Sequence, residues 1–227
     1  MIALRAPGVR LGGRDVLHDI VFSAAAGEMV ALCGPNGSGK STLLRALAGL
    51  LPEGGAPDPR RVAYLPQGAR CAWGMTVAEV AALGRIPHGD NDPAPVERAL
   101  LACGLDNLRG QRVDRISGGQ ARRAMLARVL ATDAPVLLLD EPTADLDPAA
   151  AHAIMALLRR VAHQGGCVLV VLHALDLALR YADRVVVLRG GRIVADAPPD
   201  AVLPAAAAAF GLPWGVDPSP RLLPPGP

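Results

Sequence analysis

Nine consecutive residues carry the most specific chemistry in the chain. Gly34-Pro35-Asn36-Gly37-Ser38-Gly39-Lys40-Ser41-Thr42 satisfies the pattern G-x-x-x-x-G-K-[ST], directly after the apolar run Met29 to Cys33. Glycines allow a backbone turn in which successive N–H groups face the α- and β-phosphates of a nucleotide, where side chains would obstruct the approach. Lys40 then reaches the β- and γ-phosphates, and the Ser41 hydroxyl is placed to ligate Mg²⁺. The helix beginning near Gly39 directs its positive end at the same phosphates. A glycine-rich surface turn before a helix is the plainer reading of these letters alone, and the order strand, loop, helix sets it aside.

A second chemical cluster is Val136-Leu137-Leu138-Leu139-Asp140-Glu141, an apolar strand ending in two carboxylates. Asp140 sits at the carboxyl end of a buried strand, where Mg²⁺ would lie, and Glu141 beside it can polarise an attacking water. Read alone, the pair is equally a solvated strand end.

The elements that must position these groups follow from hydrophobic periodicity. Met29 to Cys33, Val62 to Leu65, Val136 to Asp140, Cys167 to Leu172 and Val185 to Leu188 read as buried strands. Helical patterns cover Lys40 to Leu50, Gly118 to Ala131, Ala149 to His163 and Ala174 to Tyr181. Strands alternating with helices predict an α/β fold with a mainly parallel sheet. Ile2 to Ser23 reads as a strand pair turning at Gly12-Gly13, a small antiparallel β lobe. From Thr76 to Arg128 the pattern is mostly helical, with Thr76 as N-cap for Val77 to Gly84 and a further helix over Pro93 to Cys103, hence a helical sub-lobe over about 76–128. The chain is expected to be a single domain over 1–227, with a proline- and alanine-rich tail over about 197–227 that is loosely ordered from Pro218 to Pro227.

A net charge of +2 and 3% aromatic residues argue against a nucleic-acid surface, which needs a basic face or stacking platforms. Cys33, Cys71, Cys103 and Cys167 are far apart without C-x-x-C spacing, so neither a zinc site nor a disulfide framework is suggested. The N-terminus has no hydrophobic signal core, and the stretch Ala201 to Val216 is broken by Pro204, Pro213 and glycines, against a transmembrane helix. Membrane association is therefore expected through a partner.

Ile116-Ser117-Gly118-Gly119-Gln120 heads a helical pattern, and on its own is a serine-capped turn. Between the phosphate loop and the Asp-Glu strand, it resembles the L-S-G-G-Q signature of ATP-binding-cassette (ABC) ATPases, with Ile116 for leucine. The resemblance covers almost the whole chain and implies a P-loop NTPase fold with a RecA-like parallel sheet core. In that pattern Gln67, after Tyr64-Leu65-Pro66, matches the glutamine loop that touches Mg²⁺ and the attacking water; Ala144-Asp145-Leu146-Asp147 takes the place of the D-loop; and His173 matches the switch histidine at the γ-phosphate. The resemblance further implies a head-to-tail dimer of two copies with two ATP molecules between them. Lys40, Ser41, Thr42, Gln67 and Asp140 of one copy, and Ser117, Gly118, Gly119 and Gln120 of the other, would hold each ATP. Glu141 would be general base, with His173 and Lys40 steadying the γ-phosphate.

The run Leu83-Gly84-Arg85-Ile86-Pro87-His88 after Thr76-Val77-Ala78-Glu79-Val80, the segments from His173 and Arg180, and Phe210-Gly211 with Asp217-Pro218 are similar to ATPases serving importers of ferric siderophores, haem and cobalamin. This implies a polytopic permease, an extracytoplasmic solute-binding protein and a place at the cytoplasmic face of the inner membrane. Trp73 is either an anchor for the permease or part of the lobe's own core. Two departures stand out. Leu11 takes the place where the family stacks an aromatic on adenine, and Leu51 to Arg61 is shorter than usual. The alternatives are an ATPase for another solute or for export, a soluble non-transport cassette, and a regulatory subunit with little turnover.

Overall fold

The computed structural model describes residues 1–70 and 74–211. Two strands open the chain, β1 (Ile2–Leu11) and β2 (Arg14–Ala24), followed by β3 (Met29–Cys33), α1 (Lys40–Leu47), β4 (Val62–Leu65), α2 (Val77–Ala82), α3 (Pro93–Ala102), α4 (Gly118–Leu130), β5 (Val136–Asp140), α5 (Pro148–His163), β6 (Cys167–Val171), α6 (Leu175–Tyr181), β7 (Arg184–Arg189), β8 (Arg192–Ala197) and α7 (Pro199–Phe210). β1 and β2 pair antiparallel around Gly12-Gly13 as a separate two-stranded sheet. The main sheet has the order β4-β5-β6-β3-β7-β8, parallel except for the antiparallel edge pair β7-β8.

Every residue of β3, β5 and β6 is buried, because both faces of the sheet are covered. Strand alternation divides them. Met29, Ala31, Leu137 and Leu139 join one apolar cluster with the helices α2 to α5, while Val30, Leu32, Val136 and Leu138 join the other with α1 and the β1-β2 ribbon. The carboxyl ends of β3, β5 and β6 lie side by side in register, with Asp140 opposite Val171, and the connections leaving them converge on one edge. Open α/β sheets bind ligands at such an edge.

Three expectations from sequence need correction. α1 ends at Leu47 rather than Leu50, because Gly49 and Leu50 turn back to donate to the carbonyls of Ala46 and Arg45 at 3.0 and 2.9 Å, a Schellman cap. The helix from Thr76 is α-helical only to Ala82 and tightens into a 3₁₀ segment over Leu83–His88, which contains Pro87. The sheet has one strand more than the apolar runs mark, since β8 adds an alternating edge strand beyond β7; after it α7 runs to Phe210, with Pro199 in its first turn and Val202, Ala206, Ala207 and Ala209 buried. Between Leu51 and Arg61 the only element is a 3₁₀ turn over Pro52–Gly54. Cys71, Trp73, Asp217-Pro218 and the tail over Pro218 to Pro227 lie outside the described residues. Among the described residues no helix is long and apolar enough to cross a membrane.

Candidate active site

The loop leaving β3 is shaped by backbone that only glycine accommodates. Gly34 has φ +142°, and a Cβ there would lie 2.1 Å from the carbonyl oxygen of Leu188 in β7. Gly39, at φ +102°, is the N-cap of α1, and a Cβ would meet Leu17 Cδ2 at 2.4 Å. The loop is thus clamped between β7 on one side and β2 of the small ribbon on the other. No side chain caps α1 and no acid stands in its first turn, so its first N–H groups stay open to an anion.

Lys40 is buried at the head of α1 and donates from Nζ to the carbonyls of Gly34 and Pro35 at 2.8 and 2.9 Å. An ammonium has three donors, so one remains for a ligand. Burial pushes its pKa down, and the negative charge of Glu141 acts against that shift. Cys33, just before the loop, is a buried thiol pushed up to about 12, which makes it a packing residue rather than a nucleophile or ligand.

A cleft of about 360 Å³ opens over the loop, lined by Val16, Asn36, Gly37, Gly39, Lys40, Ser41, Thr42, Gln67, Glu141 and His173. Five distant stretches of sequence meet there. Glu141 follows β5 with φ +53°, a left-handed conformation uncommon for a residue with a side chain. Gln67 Nε2 donates to Glu141 Oε1 at 2.8 Å, and His173 Nε2 lies 2.6 Å from the same oxygen. Since a carboxylate only accepts, the His173 ring carries its proton on Nε2. Oε1 is fully engaged and Oε2 is left for another partner.

Below this triad, Asp140 is completely buried and neither carboxylate oxygen has a hydrogen bond of standard geometry. Burial raises its pKa, the Ser41 hydroxyl nearby opposes the rise, and Glu141 adds to it. Unpartnered buried carboxylate oxygens beside a serine hydroxyl fit a hard cation, which satisfies both. Among the described residues no group of three or more His, Cys, Asp or Glu is arranged to hold a metal, so the cation would complete its shell with ligand oxygens.

One expected group, Leu11, is not in the cleft, and the residues expected to serve a second copy lie apart from it. Leu11, the last residue of β1, is 38% exposed and does not line it; Val16 of β2 does. Ser117, Gly118, Gly119 and Gln120 lie at the start of α4, outside the cleft lining. Ser117 Oγ accepts from the Gln120 N–H at 3.2 Å and Gln120 Oε1 accepts from the Ser117 N–H at 2.9 Å, a reciprocal capping box. Two contributors were missed from sequence. Val16 carries no signal beyond the hairpin turn that precedes it, and Arg122, a charge within α4 that is nonetheless buried, has only the apolar context of its helix to mark it.

The ABC transporter family matches residues 17–144. The hemin import ATP-binding protein HmuV of Nocardia farcinica is 45% identical, with 89% of this chain and 80% of that protein covered, and HmuV of Pseudomonas fluorescens is 42% identical with 86% of each covered. Among solved structures, one described as a metal-chelate type ABC transporter in an inward-facing conformation aligns at a TM-score of 0.81 and 25% identity, over 93% of this chain and 89% of that one. A nucleotide-free ATP-binding cassette aligns at a TM-score of 0.80 and 23% identity, covering 95% and 99%, a likeness of fold. A cleft built to hold phosphates, on a sheet of this order and with relatives of this kind, leads to one assignment: the chain belongs to the ABC transporter family, as a subunit that binds ATP and hydrolyses it to power transport.

Proposed function

We propose that this chain is the motor of an ABC importer that takes up a metal chelate, an iron porphyrin such as hemin or a related complex, through a separate polytopic permease. The convergence of Gln67 and His173 on one carboxylate oxygen of Glu141, at the mouth of the phosphate loop, is the observation that carries the catalytic part. The relatives named for hemin import carry the substrate class.

In this reading the chain is one cassette domain with a helical sub-lobe around α2, α3 and α4. The loop from Gly34 to Thr42 binds the phosphates through its free backbone N–H groups, Pro35 having none, and the third donor of Lys40 meets the β- and γ-oxygens. Ser41, Asp140 and Gln67 would hold Mg²⁺, which when bound would supply charge neutralisation at the phosphate oxygens. Val16 flanks the base, while Leu11, outside the cleft lining, offers it no ring to stack on. Glu141 accepts the proton of the attacking water at Oε2 as the new oxygen–phosphorus bond forms and the bond to the ADP oxygen breaks. His173 Nε2–H turns from Oε1 to the γ-phosphate.

Ser117, Gly118, Gly119 and Gln120 serve the ATP held by a second copy, so that two chains close head to tail on two nucleotides. The γ-phosphate provides contacts that ADP lacks, and hydrolysis reopens the pair. The dimer works at the cytoplasmic face of the inner membrane, held there by the permease and served indirectly by an extracytoplasmic solute-binding protein.

The test is affinity purification of the tagged chain from gently solubilised membranes of its own source, with mass spectrometry of what accompanies it. A polytopic permease together with a binding protein that retains hemin or another chelate is the expected result. Recovery of an exporter's membrane domain, or of ribosomal or DNA-repair components, would overturn it.

A further inference from the structure

The cleft explains the side chain of Glu141 but not what holds its backbone in a left-handed turn. The peptide is pinned from two sides. The Glu141 N–H donates to the carbonyl of Val171 in β6 at 3.2 Å, and the Glu141 carbonyl accepts from the Ala144 N–H at 3.2 Å, within the turn itself, and from an Nη2–H of Arg122, outside it. Arg122 stands on the first turns of α4, five residues after Ser117, and is 8% exposed despite its charge. Its surroundings are acidic: Asp145, Glu141 and Asp140 all act on it, against a burial that lowers its pKa. Asp145, like Glu141, is a non-glycine residue at positive φ, +63°. Arg122 and Asp145 also share the lining of a second cleft of about 390 Å³, with Gly68, Ala69 and Arg70 after Gln67.

We infer that Arg122 is a positioning residue for Glu141, fixing the carboxylate's aim through its carbonyl and tying that aim to the placement of α4. The inference rests on the reading of Glu141 as the base. A left-handed residue can turn its side chain out of the cleft by relaxing to φ < 0, and such a relaxation moves the carbonyl that Arg122 holds. β6 alone fixes only the amide side of that residue. On the carbonyl side the Ala144 N–H belongs to the same turn and moves with it, so the guanidinium is the tether to another element, and because it is rooted in the helix that begins with Ser117, a shift of that helix's first turn is transmitted to Glu141. Arg122 is not among the residues that line the nucleotide cleft, so its removal is expected to bear on the step in which Glu141 acts rather than on nucleotide binding.

The experiment compares Arg122→Met, Arg122→Gln and Glu141→Gln, singly and as Arg122→Met with Glu141→Gln, in the full chain, with ATP turnover, affinity for a fluorescent ATP analogue and thermal midpoint measured for each. Arg122→Met is expected to lower kcat by about 10- to 100-fold, the scale of loss when a catalytic group is displaced by about an ångström, with affinity within about twofold. Arg122→Gln, which keeps an N–H donor without the charge, is expected to recover most of that loss, and also serves if the methionine variant folds poorly. In the Glu141→Gln background, Arg122→Met should cost nothing further. Arg122→Met with unchanged kcat, with turnover and affinity falling together, or with an equal further loss on top of Glu141→Gln, would overturn the inference. If Glu141→Gln itself turns over normally, it is the parent reading of the base that fails.

Discussion

Two glycine-bearing turns, each opening a helix, differ in how much of their function is built into one chain. At the phosphate loop the backbone is clamped: Cβ atoms at Gly34 and Gly39 would collide with Leu188 and Leu17, and the neighbouring Lys40 ties the loop to itself through two carbonyls. At Ser117 to Gln120 the helix start is satisfied by its own capping box, a Cβ at Gly118 would meet nothing within 4 Å, and one at Gly119 would only press on a leucine side chain, Leu146 Cδ2 at 3.2 Å. The first turn needs glycine for its own fold. At Gly118 the fold makes no such demand, which agrees with the proposal that this turn serves a nucleotide held by a second copy.

Substitutions sharpen that contrast, beginning with the chemistry of the first region. Glu141→Gln should lower turnover by at least ~100-fold while ATP still binds, measured by phosphate release and by equilibrium binding. Gly34→Ala forces a Cβ against a backbone oxygen and should cost about 1–3 kcal/mol, several degrees of Tm, together with most nucleotide affinity. Gly118→Ala should leave both Tm and ATP binding by the monomer unchanged, yet reduce turnover about tenfold once the chain is concentrated enough to pair, an estimate set by the loss of one close backbone contact to a phosphate. Equal thermal losses for Gly34→Ala and Gly118→Ala would erase the distinction between the two turns.

The smallest effect concerns Asp140, and its sign is opposite. A carboxyl whose folded pKa is raised contributes stability at low pH and loses it as the pH rises through that value. Asp140→Asn should therefore stabilise the nucleotide-free chain at pH 7, by about 2–4 °C if relieving the buried charge is worth roughly 1 kcal/mol, and by less at pH 4. Its hydrolysis should be lost all the same. Calorimetry at the two pH values checks the first statement and phosphate release the second.

The sequence made the sheet legible because β3, β5 and β6 are buried on both faces and read as unbroken apolar runs. It also made the phosphate loop legible, because Gly34, Gly39 and Lys40 are dictated by local backbone and by one ligand. It was less informative wherever the cause is tertiary. α7 forms over a stretch holding Pro199 and Pro204 because its alanines pack on β7 and β8, which no local signal announces. Val16 reaches the cleft through the placement of the ribbon over the loop, whereas the pattern of the hairpin pointed to Leu11. Arg122 looked like one of many scattered charges, and only the folded chain reveals the carbonyl it holds.

The seating of β2 on the phosphate loop has a consequence for how the site measures its ligand. Leu17 closes on Gly39 with no room for a methyl group, and the carbonyl of Val16 stands against Gly191 in the β7–β8 turn, so ribbon, loop and turn pack as one block. That block works as a ruler with a fixed zero. On the proposed function, a nucleotide laid along it would start at the same mark, whatever its number of phosphates, and its length would be read at the far end, where Gln67, Glu141 and His173 stand.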